Sequence, residues 1–344
     1  MIKYSYNKVI VITAICLAVI LLAFVFYKLT ANNSANDQQN NEESVEIDSQ
    51  WRHPLSGQAI TEDQFNFFPI AVMIDNAYDL DYQAGLNQAH IVYESLVEGT
   101  ITRLLAIFDS NVDLDKIGPV RSARNYFMDW AEEYTGVYMH VGGSPQALSV
   151  IDSYDFVNID QIGAGEIYFW RDDRLTAPHN VFTSTSNILR IGELKEVPAI
   201  DRDFVAWNFV APVDEVENLS DILIDFSNDY YQVDWKFNTA LEYYQRWQND
   251  TKQVSHTGEQ LRADNIIIQV VDSHLIDEER LGIDTQAGGE VVIYNKFGKQ
   301  IGNWRFQDGR TLFFDQQGDQ LKLVPGTTWV EIVDSLAKLS ELAE

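Results

Sequence analysis

The chain has a single cysteine, Cys16, in 344 residues. With no cysteine after it, no intramolecular disulfide can form, so the fold rests on its own core. Cations are also scarce: 24 Lys and Arg stand against 52 Asp and Glu, a formal charge of −28. Such a field repels phosphate backbones, and no Lys/Arg-rich run breaks it, so direct nucleic-acid binding is not expected. The familiar catalytic signatures are missing too. H-E-x-x-H, paired Cys, G-x-S-x-G and the phosphate loop do not occur, nor does an internal repeat of fixed period, and no cofactor or metal is expected.

Apolar material is ample, at 46% hydrophobic and 12% aromatic residues, enough for one large core or two ordinary ones. An uncharged apolar run from Val9 to Tyr27 is long enough to cross a bilayer. Lys3 and Lys8 precede it, which favours a cytoplasmic N-terminus. The expectation is a membrane or signal anchor over 1–28, with the bulk of the chain extracytoplasmic at the cell membrane. A cleaved signal and a lipidated signal at Cys16 are the alternatives; the bulky Ile15 before Cys16 disfavours lipidation. Residues 29–50, rich in Asn, Gln, Ser and Glu, read as a disordered acidic linker.

Beyond Trp51 the pattern predicts an α+β protein: a mixed α/β domain over 51–205, an antiparallel β domain over 215–335, and a C-terminal helix or tail over 336–344. FPIAVMIDN (68–76), HIVYESLVE (90–98) and ITRLLAIF (101–108) read as strands. SARNYFMDWAEEY (122–134) has helical spacing with Ser122 placed to cap it, and SPQALSVIDSY (144–154) reads as a helix capped by Ser144 with Pro145 at its first position. EIYFWRD (166–172) and HNVFTS (179–184) read as strands, STSNILRIGEL (184–194) as a helix. After residue 200, short β-prone runs alternate with Gly, Asp and Asn turns.

Three segments carry the candidate chemistry. VYMHVGGSPQAL (137–148) runs an apolar strand into a Gly-Gly-Ser-Pro turn and a helix, where Gly142, Gly143 and Ser144 can bring backbone amides to an anion and His140 lies alongside. The same composition suits any tight strand-to-helix turn. IGPVRSARNY (117–126) sets Arg121 and Arg124 at a helix start, where the dipole disfavours cations unless an anion compensates them. FWRDDRLTAPHN (169–180) adds Arg171, Arg174, His179 and Asn180. From 85 to 180 there are five arginines, counting Arg103, and one lysine, Lys116. Arginine is favoured for planar, forked recognition, so this bias points to a structured anion or carboxylate network. Asp75 and Glu94 join His140 and His179 as candidate catalytic groups for acid–base work, with Arg-paired structural carboxylates as the competing reading. His53, His90, His256 and His274 show no partner pattern.

HPLSG (53–57), PIAVMIDN (69–76), AGLNQAHIVYE (84–94), TRLLAIF (102–108), IGPVRSAR (117–124), HVGGSPQA (140–147), FWRDDRLTAPHN (169–180) and TGEQLRADNIIIQ (257–269) resemble the YerB-like family of bacterial lipoproteins, a two-part domain of unknown function. The resemblance covers about 53–335 and implies a membrane-anchored extracytoplasmic protein with no assigned activity. The functional expectation is therefore a binding protein of the cell envelope with an Arg/His/Gly-lined anion site, whose partner is an envelope polymer or protein. The alternatives are a cell-envelope hydrolase using His with Asp or Glu, and an interaction scaffold whose arginines only stabilise its fold.

Overall fold

Strands in the first half are written as continuous apolar runs, which is how a strand covered on both faces reads. Pro69–Asp75 (β1) is buried at every position. Ile91–Glu98 (β2) and Ile101–Asp109 (β3) are buried along nearly all their length. The computed structural model describes residues 51–342 apart from 81, 99, 165–166, 212–218 and 278–279. The expected anchor over 1–28 and linker over 29–50 lie outside the described residues. Among the described residues, no helix is long and apolar enough to cross a membrane.

Further strands are Val137–His140 (β4), Val157–Asp160 (β5), Asn265–Val270 (β6), Gly289–Asn295 (β7), Gly298–Gln307 (β8), Arg310–Phe314 (β9) and Thr328–Val333 (β10). They form one ten-stranded sheet in the order β9-β8-β7-β6-β10-β2-β3-β1-β4-β5. β10 is the join: it runs parallel to β6 on one side and parallel to β2 on the other, pairing Thr328 with Ile91 and Glu331 with Glu94. Both sequence halves thus contribute to a single sheet.

Alternation along β1 sends Ala71 and Met73 to one face and Ile70, Val72 and Ile74 to the other. The helix Asn125–Glu132 (α1) covers the first face with Tyr126, Phe127, Met128 and Trp130. A second, antiparallel sheet covers the other face with Ile222, Val233, Trp235 and Tyr244, helped by Ile188 and Ile191 of the helix Thr185–Lys195. Each fully buried large apolar side chain contributes about 1.5–3 kcal/mol. These two cores supply what disulfides do not.

The described residues are mainly β, and the first half mixes its strands with few and short α-helices, among them Asn125–Glu132, Pro145–Val150 and Thr185–Lys195. Among the described residues, EIYFWRD gives only Trp170–Arg171 as strand and HNVFTS only Val181–Phe182, the two forming a small hairpin. Ser122 caps nothing; the helix starts at Asn125 with Arg124 in the capping position and no side-chain cap. Ser144 does cap its helix, accepting from Ala147 N at 3.1 Å with Pro145 following. Residues 336–344, expected as a helix or tail, instead place Leu339–Leu342 as a strand against Asp221–Ile224. Edge pairing to an open strand outweighs the weak helical periodicity there.

Candidate functional site

The three arginine- and glycine-bearing segments meet at the C-terminal end of β1. IGPVRSAR is stitched down on each side by backbone hydrogen bonds. Asp75 N donates to Pro119 O at 2.9 Å and Arg121 N to Met73 O at 2.9 Å; Val120 N donates to Val181 O at 2.7 Å, Val141 N to Arg121 O at 3.0 Å, and Ala123 N to Gly142 O at 3.0 Å. A segment written as a Gly-Pro turn therefore runs as a short ribbon between β1, the end of β4 and the strand at Val181. Gly118–Pro119 within this ribbon and Ala177–Pro178 in the segment leading to Val181 are cis peptides.

Asp75 is the hub. Its Oδ2 accepts from His179 Nδ1 at 2.6 Å and lies 3.0 Å from Arg121 Nε, a charge contact rather than an aligned hydrogen bond. Its Oδ1 accepts from Ala77 N at 3.1 Å. The carboxylate is buried, whereas the His179 side chain is 30% exposed and Arg121 is 21% exposed. With Nδ1 held by Asp75, the imidazole presents Nε2 outward with no partner among the described residues. Arg103 sits directly across the ladder from Asp75. It is buried, donates to Ser122 O at 3.1 Å, and forms no ion pair among the described residues. Burial, and then the charge of Arg121, push its pKa down to about 10. Two guanidinium groups thus face one carboxylate.

The other predicted residues are placed in separate arrangements. Arg124 donates to Ala123 O at 2.7 Å and pairs with Glu98. Arg171 donates to Asn180 Oδ1 at 2.8 Å. Arg174, 81% exposed, forks onto Asp172, which also holds Lys116 Nζ at 2.7 Å. Those contacts hold the Asp172 carboxyl far below the usual range. His140 is fully buried, with Nδ1 donating to Gly142 O at 2.7 Å and Nε2 lying 2.7 Å from the Asn158 amide oxygen. Gly142 donates its amide to Asp160 Oδ1 at 2.7 Å and has φ +57°. The amides of Gly142 and Ser144 and the ring of His140 are spent on the fold. Glu94, also a candidate, is fully buried in another cluster: its Oε1 accepts from Asn76 at 2.9 Å and Thr102 at 2.7 Å, and its Oε2 pairs with Arg246. Glu331 lies against it, its pKa raised well above the ordinary value by burial and then by the Glu94 charge. Trp235 Nε1 donates to Glu331 Oε1 at 2.7 Å, while Glu331 Oε2 has no hydrogen-bond partner among the described residues.

Sequence reasoning passed over His53 and His90, which converge on Asp109. His53 Nε2 lies 3.0 Å and His90 Nε2 2.7 Å from Asp109 Oδ2, with the rings stacked 4.1 Å apart. The three ligand atoms lie within 4.8 Å of one another, close enough for a metal ion. However, Leu55 N donates to His53 Nδ1 at 3.3 Å, which puts that ring's proton on Nε2, facing the carboxylate. Asp109 Oδ1 is filled by Asn111 N at 2.6 Å and Val112 N at 2.9 Å. The trio acts as a hydrogen-bonded clasp between the lead-in and the sheet. Burial would raise Asp109, yet the two histidine hydrogen bonds outweigh it and hold the carboxyl far below its usual range. No spacing rule in the sequence links positions 53, 90 and 109.

Two cavities matter. A cavity of about 680 Å³ is bordered by Asp129, Glu132, Asp201, Asp203 and Asp308, with Arg310 spent on Glu133. A smaller one of about 230 Å³ opens beside Ala77 and Gln83, next to Asp75.

Two family models match the chain: "Protein of unknown function (DUF3048) N-terminal domain" over residues 55–197 and the corresponding C-terminal domain over 222–330. A Bacillus subtilis (strain 168) protein described as "Putative lipoprotein YerB" is 30% identical over 334 residues, covering 93% of this chain and 96% of the relative. The crystal structure of YerB from Bacillus subtilis aligns with a TM-score of 0.78 at 29% identity, covering 86% of this chain and all of that one.

Proposed function

This chain belongs to the DUF3048 family, and from that premise we propose that it is a membrane-anchored extracytoplasmic binding protein whose anion site is built from Asp75, Arg103, Arg121 and His179. The observation that carries the reading is local charge. In a chain of formal charge −28, two arginines and a histidine converge on one carboxylate. Arg103 keeps a buried positive charge without an ion pair among the described residues. Two guanidinium groups share the one Asp75 carboxylate, and an incoming carboxylate or phosphate adds the negative charge that balances them. The relative's description as a lipoprotein supports anchoring at the N-terminal end, through the apolar run or Cys16, with an envelope polymer or protein as partner.

The test is a titration of inorganic phosphate and of acetate, followed through the His179 imidazole resonances. Saturable shifts are expected in the wild type and weaker ones in Arg121→Gln; flat titrations in the wild type overturn the anion site. A hydrolytic reading has its own support: a histidine oriented by Asp75 with Nε2 outward is the arrangement of a general base acting on water. Turnover of cell-wall fragments by wild type, lost in His179→Ala, would establish it, whereas binding without turnover would end it. Arg124, Arg171 and Arg174, each held by an internal partner, fit a structural role.

A further inference from the structure

The 230 Å³ cavity shares a wall with the Asp75 site. Ala77 and Gln83 line it, and both hold Asp75: Ala77 N donates to Asp75 Oδ1 at 3.1 Å and Gln83 Nε2 to Asp75 O at 3.4 Å. The opposite wall comes from the second sheet through Gln248, Thr251 and Gln253. Among the described residues no Asp or Glu lines this cavity, and Lys252 does.

Its polar groups are only partly used. Gln83 is 2% exposed and gives Nε2 to Asn76 Oδ1 at 2.9 Å, yet its Oε1 accepts from no described residue and is left to the cavity. Tyr82 OH accepts from Lys116 Nζ at 2.8 Å and keeps its own proton to donate. Thr251 is exposed, and its hydroxyl, which donates to Asn249 O at 3.2 Å, can still accept. At the rim, the 57% exposed Tyr78 packs against Tyr230 with ring centroids 4.5 Å apart and planes tilted by 36°. A free amide oxygen, a phenol, a hydroxyl and an aromatic ring at the rim together match a neutral ring bearing hydroxyl groups. The space holds roughly eight waters at about 30 Å³ each, the bulk of one pyranose with its substituents.

We propose that this cavity is a saccharide subsite, and that with the neighbouring cationic site it selects an anionic sugar, carrying a carboxylate or phosphate, over either the bare anion or the bare sugar. The inference rests on the anion reading above. The test is isothermal titration of the protein with inorganic phosphate, glucose, glucose 1-phosphate and glucuronate, repeated on Thr251→Trp, which fills the cavity from an exposed turn without touching Asp75. Wild type should bind glucose 1-phosphate or glucuronate at least tenfold more tightly than phosphate, and Thr251→Trp should bring them back to the phosphate level. The preferred member of the pair tells carboxylate from phosphate. If phosphate binds but neither sugar anion gains affinity, or if Thr251→Trp changes nothing, the saccharide subsite is refuted and the anion site stands. If no anion binds at all, both fall.

Discussion

Glu94, Arg246 and Glu331 form a fully buried group with two carboxylates and one cation, and two near-isosteric substitutions should behave very differently in it. Arg246 pairs with Glu94 and lies 5.6 and 4.9 Å from the ring centroids of Trp235 and Trp329. Glu94→Gln leaves that guanidinium without its counter-charge, and losing one partner of a buried pair costs about 3–5 kcal/mol. Burial, and then the Glu94 charge, raise the Glu331 pKa well above 4.5, which favours the neutral acid. Glu331→Gln therefore replaces a neutral group by a neutral one. It keeps an acceptor for Trp235 Nε1 and a donor toward Glu94, and should cost less than about 1 kcal/mol. The pH dependence separates the two further. A glutamate whose folded pKa is raised contributes stability that is complete below the unfolded value and is lost as pH rises toward the folded one, at up to about 1.4 kcal/mol per pH unit. Wild type should lose stability as pH rises above about 4.5, and Glu331→Gln should flatten this part of the curve. Urea unfolding at a series of pH values measures both effects. Equal costs for the two substitutions at neutral pH, or a slope above about pH 4.5 unchanged in Glu331→Gln, would refute the assignment of the proton.

Other outcomes follow from single contacts. Gly142→Ala should cost about 1 kcal/mol or more in thermal unfolding, because φ is +57° and a Cβ there would meet Ile162 Cδ1 at 2.8 Å. Arg174→Ala, at an 81% exposed side chain, should change stability by less than about 1 kcal/mol, whereas Arg310→Ala should cost about 3–5 kcal/mol by stranding the buried Glu133. Burial chiefly, with His90 adding to it against the opposing Asp109 hydrogen bond, lowers the pKa of His53 below 6.5. The unfolded chain thus takes up the proton first, and stability should decline as pH falls below 6.5; in His53→Asn, urea midpoints between pH 6.5 and 5 should decline less.

What the sequence revealed was local. Continuous apolar runs marked β1, β2 and β3, and the Ser-Pro pair marked the start of Pro145–Val150, since burial and capping act over a few residues. The arginine bias foretold a polar network, and IGPVRSAR, HVGGSP and TAPHN do come side by side. Which arginine met which acid was hidden, because Asp75 reaches His179 across 104 positions and Glu94 reaches Arg246 across 152. The expected helix near 336–344 was lost to a strand partner more than a hundred residues away, at 221–224. Val157–Asp160 escaped notice because two of its neighbours in VNID are polar and its apolar run is too short to stand out.

The place of β10 has a consequence for how the chain could be divided. Thr328–Glu331 pairs with Ile91–Glu94 on one side, and Asn265–Val270 pairs along the full strand on the other. A cut in the backbone between residues 200 and 220 would therefore leave two fragments still laced by that ladder, with Arg246 of one still bound to Glu94 of the other. Separately made, each piece would present an unpaired central strand to water, and the two should recover a native sheet only by finding each other.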